Sequence, residues 1–171
     1  MASLTDTFDL GTLRLSSGEA SSVDLEVGVD SLSFGGQTYT TAGGRIRVRL
    51  DVSRTTGLGY ALRLRGDLVL DGPCMRCLEN ADAPIGVDAR EVDQPGGGDE
   101  LVSPYLDDHE LDVATWTHDA LSLALPTQIV CREDCAGLCP RCGENLNRHP
   151  DHEHEPEVDP RWAKLSELKL D

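Results

Sequence analysis

Aromatic residues make up only 4% of this 171-residue chain. No apolar run approaches the roughly 18 residues that a membrane-spanning helix requires. The first shortage gives the expectation of a modest core built of Leu, Val, Ile and Ala. The second gives the expectation of a protein with no membrane partner. Apolar residues reach 39%, below the about 45–50% of ordinary globular chains, a norm that also counts glycine. A thin core leaves a role for another source of folding energy, such as a bound metal. Met1–Leu10 shows neither a basic n-region nor an apolar h-region. The expected location is therefore the reducing cytoplasm. There is no Ser/His/Asp grouping, phosphate-binding glycine loop or catalytic zinc helix. Enzyme chemistry and a small-molecule substrate are therefore not expected. No internal repeat of about 20 residues or longer is visible, which argues against a solenoid.

Cations are scarce overall, and the formal net charge is −16. They are unevenly spread. Between Arg45 and Arg76, seven arginines stand against three aspartates, a local balance of +4 that leaves −20 for the remainder. A field of this sign repels phosphate, so a general nucleic-acid coat is excluded. A basic island could still touch RNA, and the acidic remainder could hold a basic protein.

What the chain does have is six cysteines in two clusters. The first is Cys74-Met-Arg-Cys77. The second is Cys131-Arg-Glu-Asp-Cys135-Ala-Gly-Leu-Cys139-Pro-Arg-Cys142-Gly. A Cys-x-x-Cys turn brings two sulfurs within reach of one ion, and two such pairs make the usual tetrahedral zinc site. In Cys139-Pro-Arg-Cys142-Gly, proline presets φ for the turn and glycine tolerates its left-handed closing residue. In a reducing compartment, zinc is favoured over disulfides. Two arrangements are open. Cys131, Cys135, Cys139 and Cys142 can share one ion, leaving Cys74 and Cys77 spare. Alternatively, Cys74 and Cys77 pair with Cys131 and Cys135, while Cys139 and Cys142 join two of His149, His152 and His154. The second is preferred, with His152 and His154 as the imidazoles, because no thiolate is left unmatched. A thiol oxidoreductase using Cys74 and Cys77 is a rival. It would want its first thiolate at a helix N-terminus, and the pair follows a strand instead.

The hydrophobic pattern predicts an α+β fold. Val23, Leu25, Val27 and Val29 alternate with polar residues as in a strand. Ile46, Val48 and Leu50 alternate with Arg45, Arg47 and Arg49, and Tyr60, Leu62 and Leu64 with Arg63 and Arg65. These segments predict an antiparallel hairpin with one buried face. Pro84–Val92 is expected to return as a further strand. Phe8–Leu15 hints at a short extended piece, and Gly35-Gly36 and Gly43-Gly44 bracket a turn-rich connection. Trp116, Ala120, Leu123 and Ala124 lie at helical spacing, with Pro126 as the stop. Three regions are expected. Residues 1–93 form a β-rich body and 94–112 an acidic linker. Residues 113–171 carry the helix and a zinc-knitted, cysteine-rich segment that ends in a further short helix. Arg47, Arg49, Arg63 and Arg65 would share one exposed face, as a positive stripe for RNA phosphates or as ordinary solvated surface.

Several motifs in one order resemble the bacterial YceD family. They are Cys74-x-Arg-Cys77-Leu78, then Leu-x-Leu-Ala-Leu-Pro126, then Cys131-x-x-Asp-Cys135-x-Gly-Leu-Cys139-Pro-x-Cys142-Gly-x-Asn145-Leu-Asn147, then Asp159-Pro-Arg-Trp162-x-x-Leu165. The likeness covers the chain from about residue 60 onward. Some members end in Cys-x-Cys where this chain has His152-x-His154, an exchange that zinc accepts. The resemblance implies a role in accumulation or processing of large-subunit ribosomal RNA, with pre-ribosomal particles as partners and no catalytic residue. The alternative is a zinc-stabilised adaptor or chaperone for a basic ribosomal protein, without RNA contact.

Overall fold

The computed structural model describes residues 4–154. The expected helix at Ala163–Leu170 lies outside the described residues. Six strands form one antiparallel sheet: β2 (Ala20–Gly28), β3 (Leu32–Phe34), β4 (Gln37–Thr41), β5 (Arg45–Arg54), β6 (Tyr60–Pro73) and β7 (Asn80–Asp93). The order runs β2-β5-β6-β4-β3, and β7 pairs with β6 along its whole length. Alternation decides the faces. Ile46, Val48, Leu50, Val52, Leu62 and Leu64 are buried on one side, while Arg45, Arg47 and Arg49 are exposed on the other. The fold is β-rich and antiparallel with a single helix among the described residues.

Helix α1 (Val113–Ala124) packs across the buried face, chiefly against β7 and β2. Asp112 caps it by accepting from the Thr115 amide (2.8 Å) and hydroxyl (2.7 Å). Such a cap satisfies donors that a helix start leaves orphaned. Trp116 and Leu121 enter the same core as the sheet. The helix is thus part of the β-rich body rather than of a separate C-terminal region.

The stretch 94–112, read from sequence as an acidic linker, carries more structure than that. β8 (Leu106–Asp107) and β9 (Glu110–Asp112) form a hairpin, and β9 pairs with β1 (Thr7–Asp9) in a small second sheet. Leu111 is fully buried, and the buried Asp93 accepts from the Ser103 amide at 3.1 Å. The β1–β9 pairing joins residues far apart in sequence, so local charge gave no sign of it. Phe8–Leu15 is likewise not a single extended piece. After β1 the chain turns through a short 3-10 segment at Leu10–Leu13, where Asp9 caps the Gly11 amide (2.8 Å).

Candidate metal centres

β6 and β7 are two arms of one hairpin, and the first cysteine pair is its turn. The Cys74 amide donates to the Glu79 carbonyl (2.6 Å) and the Leu78 amide to the Cys74 carbonyl (2.9 Å). The closing residue, Leu78, has φ +61° and is 55% exposed, a backbone conformation that side chains other than Gly, Asn and Asp rarely adopt. Fully buried Tyr39 donates its hydroxyl to the Pro73 carbonyl (2.9 Å). Its ring lies so close to Gly72 that a Cβ there would sit 2.4 Å from Cδ1. Only glycine lets the strand pass the ring and deliver Cys74 to its place.

The partners of this pair come from the loop after α1. The Met75 amide donates to the Ile129 carbonyl (2.8 Å), and the Leu138 amide to the Arg76 carbonyl (3.1 Å). The Arg76 guanidinium clasps the same loop, donating to the carbonyls of Glu133 (3.4 Å) and Cys135 (3.3 Å) and to Gln128 Oε1 (3.2 Å). Gly137, at φ +78°, passes so close that a Cβ would lie 3.1 Å from the Arg76 carbonyl oxygen. The result is a four-sulfur cluster of Cys74, Cys77, Cys131 and Cys135. Sγ–Sγ distances are 3.8 Å for Cys74–Cys135 and 3.6 Å for Cys77–Cys131. Asn147 steadies the far side, donating Nδ2 to Cys135 Sγ (3.3 Å) and accepting on Oδ1 from the Ala136 amide and Arg132, each at 2.8 Å.

The second centre is local. Cys139 Sγ lies 3.2 Å from His154 Nε2, Cys142 Sγ lies 3.2 Å from His152 Nε2, and the two Nε2 atoms are 3.0 Å apart. The turn repeats the first one bond for bond. The Gly143 amide donates to the Cys139 carbonyl (2.9 Å) and the Cys139 amide to the Glu144 carbonyl (2.8 Å). Here the closing residue is Gly143 at φ +77°. The sequence carries the same correspondence, Cys74-x-Arg-Cys77-x-Glu79-Asn80 against Cys139-x-Arg-Cys142-x-Glu144-Asn145. It is a repeat of one turn, shorter than the repeats usually sought.

Both donor sets fit a tetrahedral ion. Four sulfurs about 2.3 Å from zinc lie about 3.8 Å apart, and two imidazole nitrogens about 3.3 Å apart. Sulfurs at 3.6 and 3.8 Å are far beyond disulfide bonding at about 2.05 Å, and all six cysteines are free. The structure thus groups the eight sequence-derived candidates as four and four. It does not gather Cys131, Cys135, Cys139 and Cys142 in one site, and His149 stays outside both sets, near Glu144.

The thiols are electrostatically uneven. Burial works against ionisation of Cys74, but amides of Cys131, Cys77 and Arg76 directed at its sulfur outweigh it and bring the thiol down to about 6. Cys139 is also lowered to about 6, first by the Cys142 and Arg141 amides. Cys131 is pushed up to about 12 by loss of water around its sulfur and by the thiols of Cys77, Cys135 and Cys74. Four sulfurs crowded this closely resist carrying four charges unless a cation sits among them.

The arginines meet a different fate. Arg47, Arg49, Arg63 and Arg65 do share the exposed sheet face, but each has a carboxylate beside it. Glu26 takes Arg45 and Arg47 (3.3 Å each), Asp51 takes Arg49 (3.3 Å) and Arg65 (2.5 Å), and Asp88 takes Arg63 (2.6 Å). Five arginines against three carboxylates leave +2. The expected bare stripe is therefore largely neutralised, because β2 and β7 supply Glu26 and Asp88 opposite the basic strands and β5 itself supplies Asp51. Cross-strand register brings in Glu26 and Asp88, which reading β5 and β6 alone could not reveal.

A family model described as large ribosomal RNA subunit accumulation protein YceD matches residues 62–169. An uncharacterised protein of Mycobacterium tuberculosis is 39% identical over 105 residues, covering 57% of this chain and 49% of its own length. A Mycobacterium leprae counterpart is 31% identical over 101 residues, covering 56% and 46%. A Zea mays protein named large ribosomal RNA subunit accumulation protein YCED homolog 1, chloroplastic, is 29% identical over 174 residues, covering 78% and 58%. The chain spans about half the length of the curated relatives it matches. No solved structure matches. The matched region begins on β6 and takes in both cysteine turns, so the motifs and the family model coincide, and the chain belongs to the YceD family of large ribosomal RNA subunit accumulation proteins.

Proposed function

We propose that this chain is a non-enzymatic factor that supports accumulation of large-subunit ribosomal RNA, and that zinc fills both four-ligand sets. Membership of the YceD family carries this reading. Each set offers four protein donors, the signature of structural zinc rather than of a catalytic ion with an open position. The ion would supply folding energy to a chain whose core is thin. Cys74, Cys77, Cys131 and Cys135 would lock the loop after α1 onto the central hairpin. Cys139, Cys142, His152 and His154 would shape a smaller lobe. No helix among the described residues is long and apolar enough to cross a membrane.

A second reading concerns how the factor acts, and the paired arginine face favours it. Phosphate would have to displace Glu26, Asp51 and Asp88 from their partners. A chain of −16 is better suited to hold a basic ribosomal protein than to lie along RNA. The test of the function is depletion of the protein from its cells, followed by the ratio of large- to small-subunit ribosomal RNA. The ratio should fall, and a Cys77→Ser copy should not restore it. An unchanged ratio on depletion would overturn the reading.

A further inference from the structure

β7 has β6 on one side and no strand on the other among the described residues. It is 14 residues long and regular, which makes it a long open edge. Proteins guard such edges because unpaired amides and carbonyls recruit foreign strands. Pro84 guards one half. A proline fits within a paired strand only where its missing N–H points away from the neighbour. The Cys74 amide, bonded to the Glu79 carbonyl in the same register, turns odd-numbered β7 residues toward β6. The even-numbered ones, Pro84 included, therefore face outward along the edge. From Gly86 to Val92 nothing comparable blocks it, and Gly86, Asp88, Arg90 and Val92 are all exposed.

Beside this open half runs a groove of about 460 Å³ between β7 and α1, floored by Tyr105, Trp116 and Ala120 and rimmed by Leu123. Leu123 is 88% exposed, the most exposed large apolar side chain among the described residues. The groove is also negative. Glu91 and the Asp119 carboxylate that accepts from the Tyr105 hydroxyl (3.1 Å) outnumber Arg90, while Asp88 is already taken by Arg63. Burial first, and then Asp119 and Glu91, push the Tyr105 phenol up. An extended segment has side chains alternating between faces. Those on the groove side would meet the apolar floor and, beside Tyr105, Glu91 and Asp119, while those on the other side would lie along the arginine face.

We propose that the Gly86–Val92 edge and the adjoining groove receive an extended segment of a partner protein, with apolar and basic side chains on its groove side, as an added strand of the sheet. This is a site of β-augmentation, in which main-chain bonds give affinity and the groove gives selectivity. It depends on neither metal occupancy nor the ribosomal RNA reading.

Amide hydrogen exchange on the full chain tests it, with a synthetic peptide of about ten residues as probe, Val and Arg in turn at every second position and Ser between them. Added peptide should slow exchange at Gly86, Asp88, Arg90 and Val92 by about tenfold or more, leaving Val87, Ala89 and Glu91, which already face β6, unchanged. Arg90→Pro removes an outward amide without breaking the β6 ladder and should abolish that slowing. Leu123→Ser should weaken the peptide about tenfold through the groove. Peptide bound without the even-numbered pattern, or equally well by Arg90→Pro, would overturn the proposal. So would the same protection produced by a single-stranded RNA oligonucleotide. Protection of these amides before any peptide is added would also overturn it, because the chain itself or a second copy would then fill the edge.

Discussion

Two turns of nearly the same sequence do different work in this molecule. Cys74–Asn80 closes the central hairpin, and its partners lie 54 and 61 residues away. Cys139–Asn145 finds its partners 10 and 15 residues on. Loop closure alone separates the two by only about 1 kcal/mol, since that entropy grows with the logarithm of length. The larger difference is what each turn is fused to. Cys74, Cys77 and Cys135 are buried in the main core, whereas Cys142 is exposed. One set is built into the main core and the other is built locally.

The first way to break this comparison is to remove one ligand from each centre. Cys77→Ser should leave the sheet largely unfolded, because a lost structural ion outweighs the about 5–15 kcal/mol of net stability of a typical domain. Cys142→Ser should keep the far-UV circular dichroism of the sheet and lower the melting temperature by only a few degrees. Equal loss in both variants would contradict the division of labour.

A smaller effect is expected at the approach to the first turn. Gly72→Ala would drive a methyl group into the buried Tyr39 ring, at a cost of about 1–3 kcal/mol as overpacking. Chemical denaturation measures it. Tyr39→Phe combined with Gly72→Ala should not rescue, because the clash is with the ring and not the hydroxyl.

The closing residues sharpen the comparison further. Leu78 and Gly143 occupy equivalent left-handed positions. Gly143→Leu should destabilise the second lobe by about 1–2 kcal/mol, and Leu78→Gly should stabilise the first by about 1 kcal/mol. If Leu78→Gly destabilises instead, the exposed leucine has packing that the backbone argument overlooks.

The smallest effect concerns the paired arginine face. Asp51 is held down at about 2, first by the Ser22 hydroxyl and then, against some burial, by Arg65 and Arg49. Asp88 is lowered first by Arg63. A depressed carboxyl contributes stability that is fully present above its unfolded value of about 3.9 and is lost as pH falls toward the folded one. Between about pH 4 and pH 2 the melting temperature of the wild type should therefore drop slightly more steeply than that of Asp51→Asn. The groups are solvent-exposed, so the difference is small and fades with salt.

Much of this was readable from residues alone, for a physical reason. Strands β2, β5 and β6 announce themselves by strict alternation, and α1 by its spacing and the stop at Pro126. The cysteine and histidine donors announce themselves by chemistry and spacing. What escaped was non-local. β1 and β9 pair across more than a hundred residues with only three pairs each, too short to show a period. β3 and β4 hide among glycines for the same reason. Of the carboxylates that neutralise the arginines, Glu26 and Asp88 sit on neighbouring strands, so only register reveals them, while Asp51 lies on β5 beside Arg49. Asn147 and Arg76, which brace the four-sulfur centre, look like ordinary polar residues until the loop is folded back on the hairpin. The repeated turn was in plain view, but it is seven residues long.

The central claim is that two separate four-donor centres exist, one built across the chain and one built locally. Metal content per chain, measured on purified protein, tests it most directly. The account predicts about two zinc ions in the wild type, one in Cys142→Ser, and loss of at least one in Cys74→Ser. One ion per chain, retained when Cys74 is replaced, would contradict it. That result would return Cys131, Cys135, Cys139 and Cys142 to a single shared site.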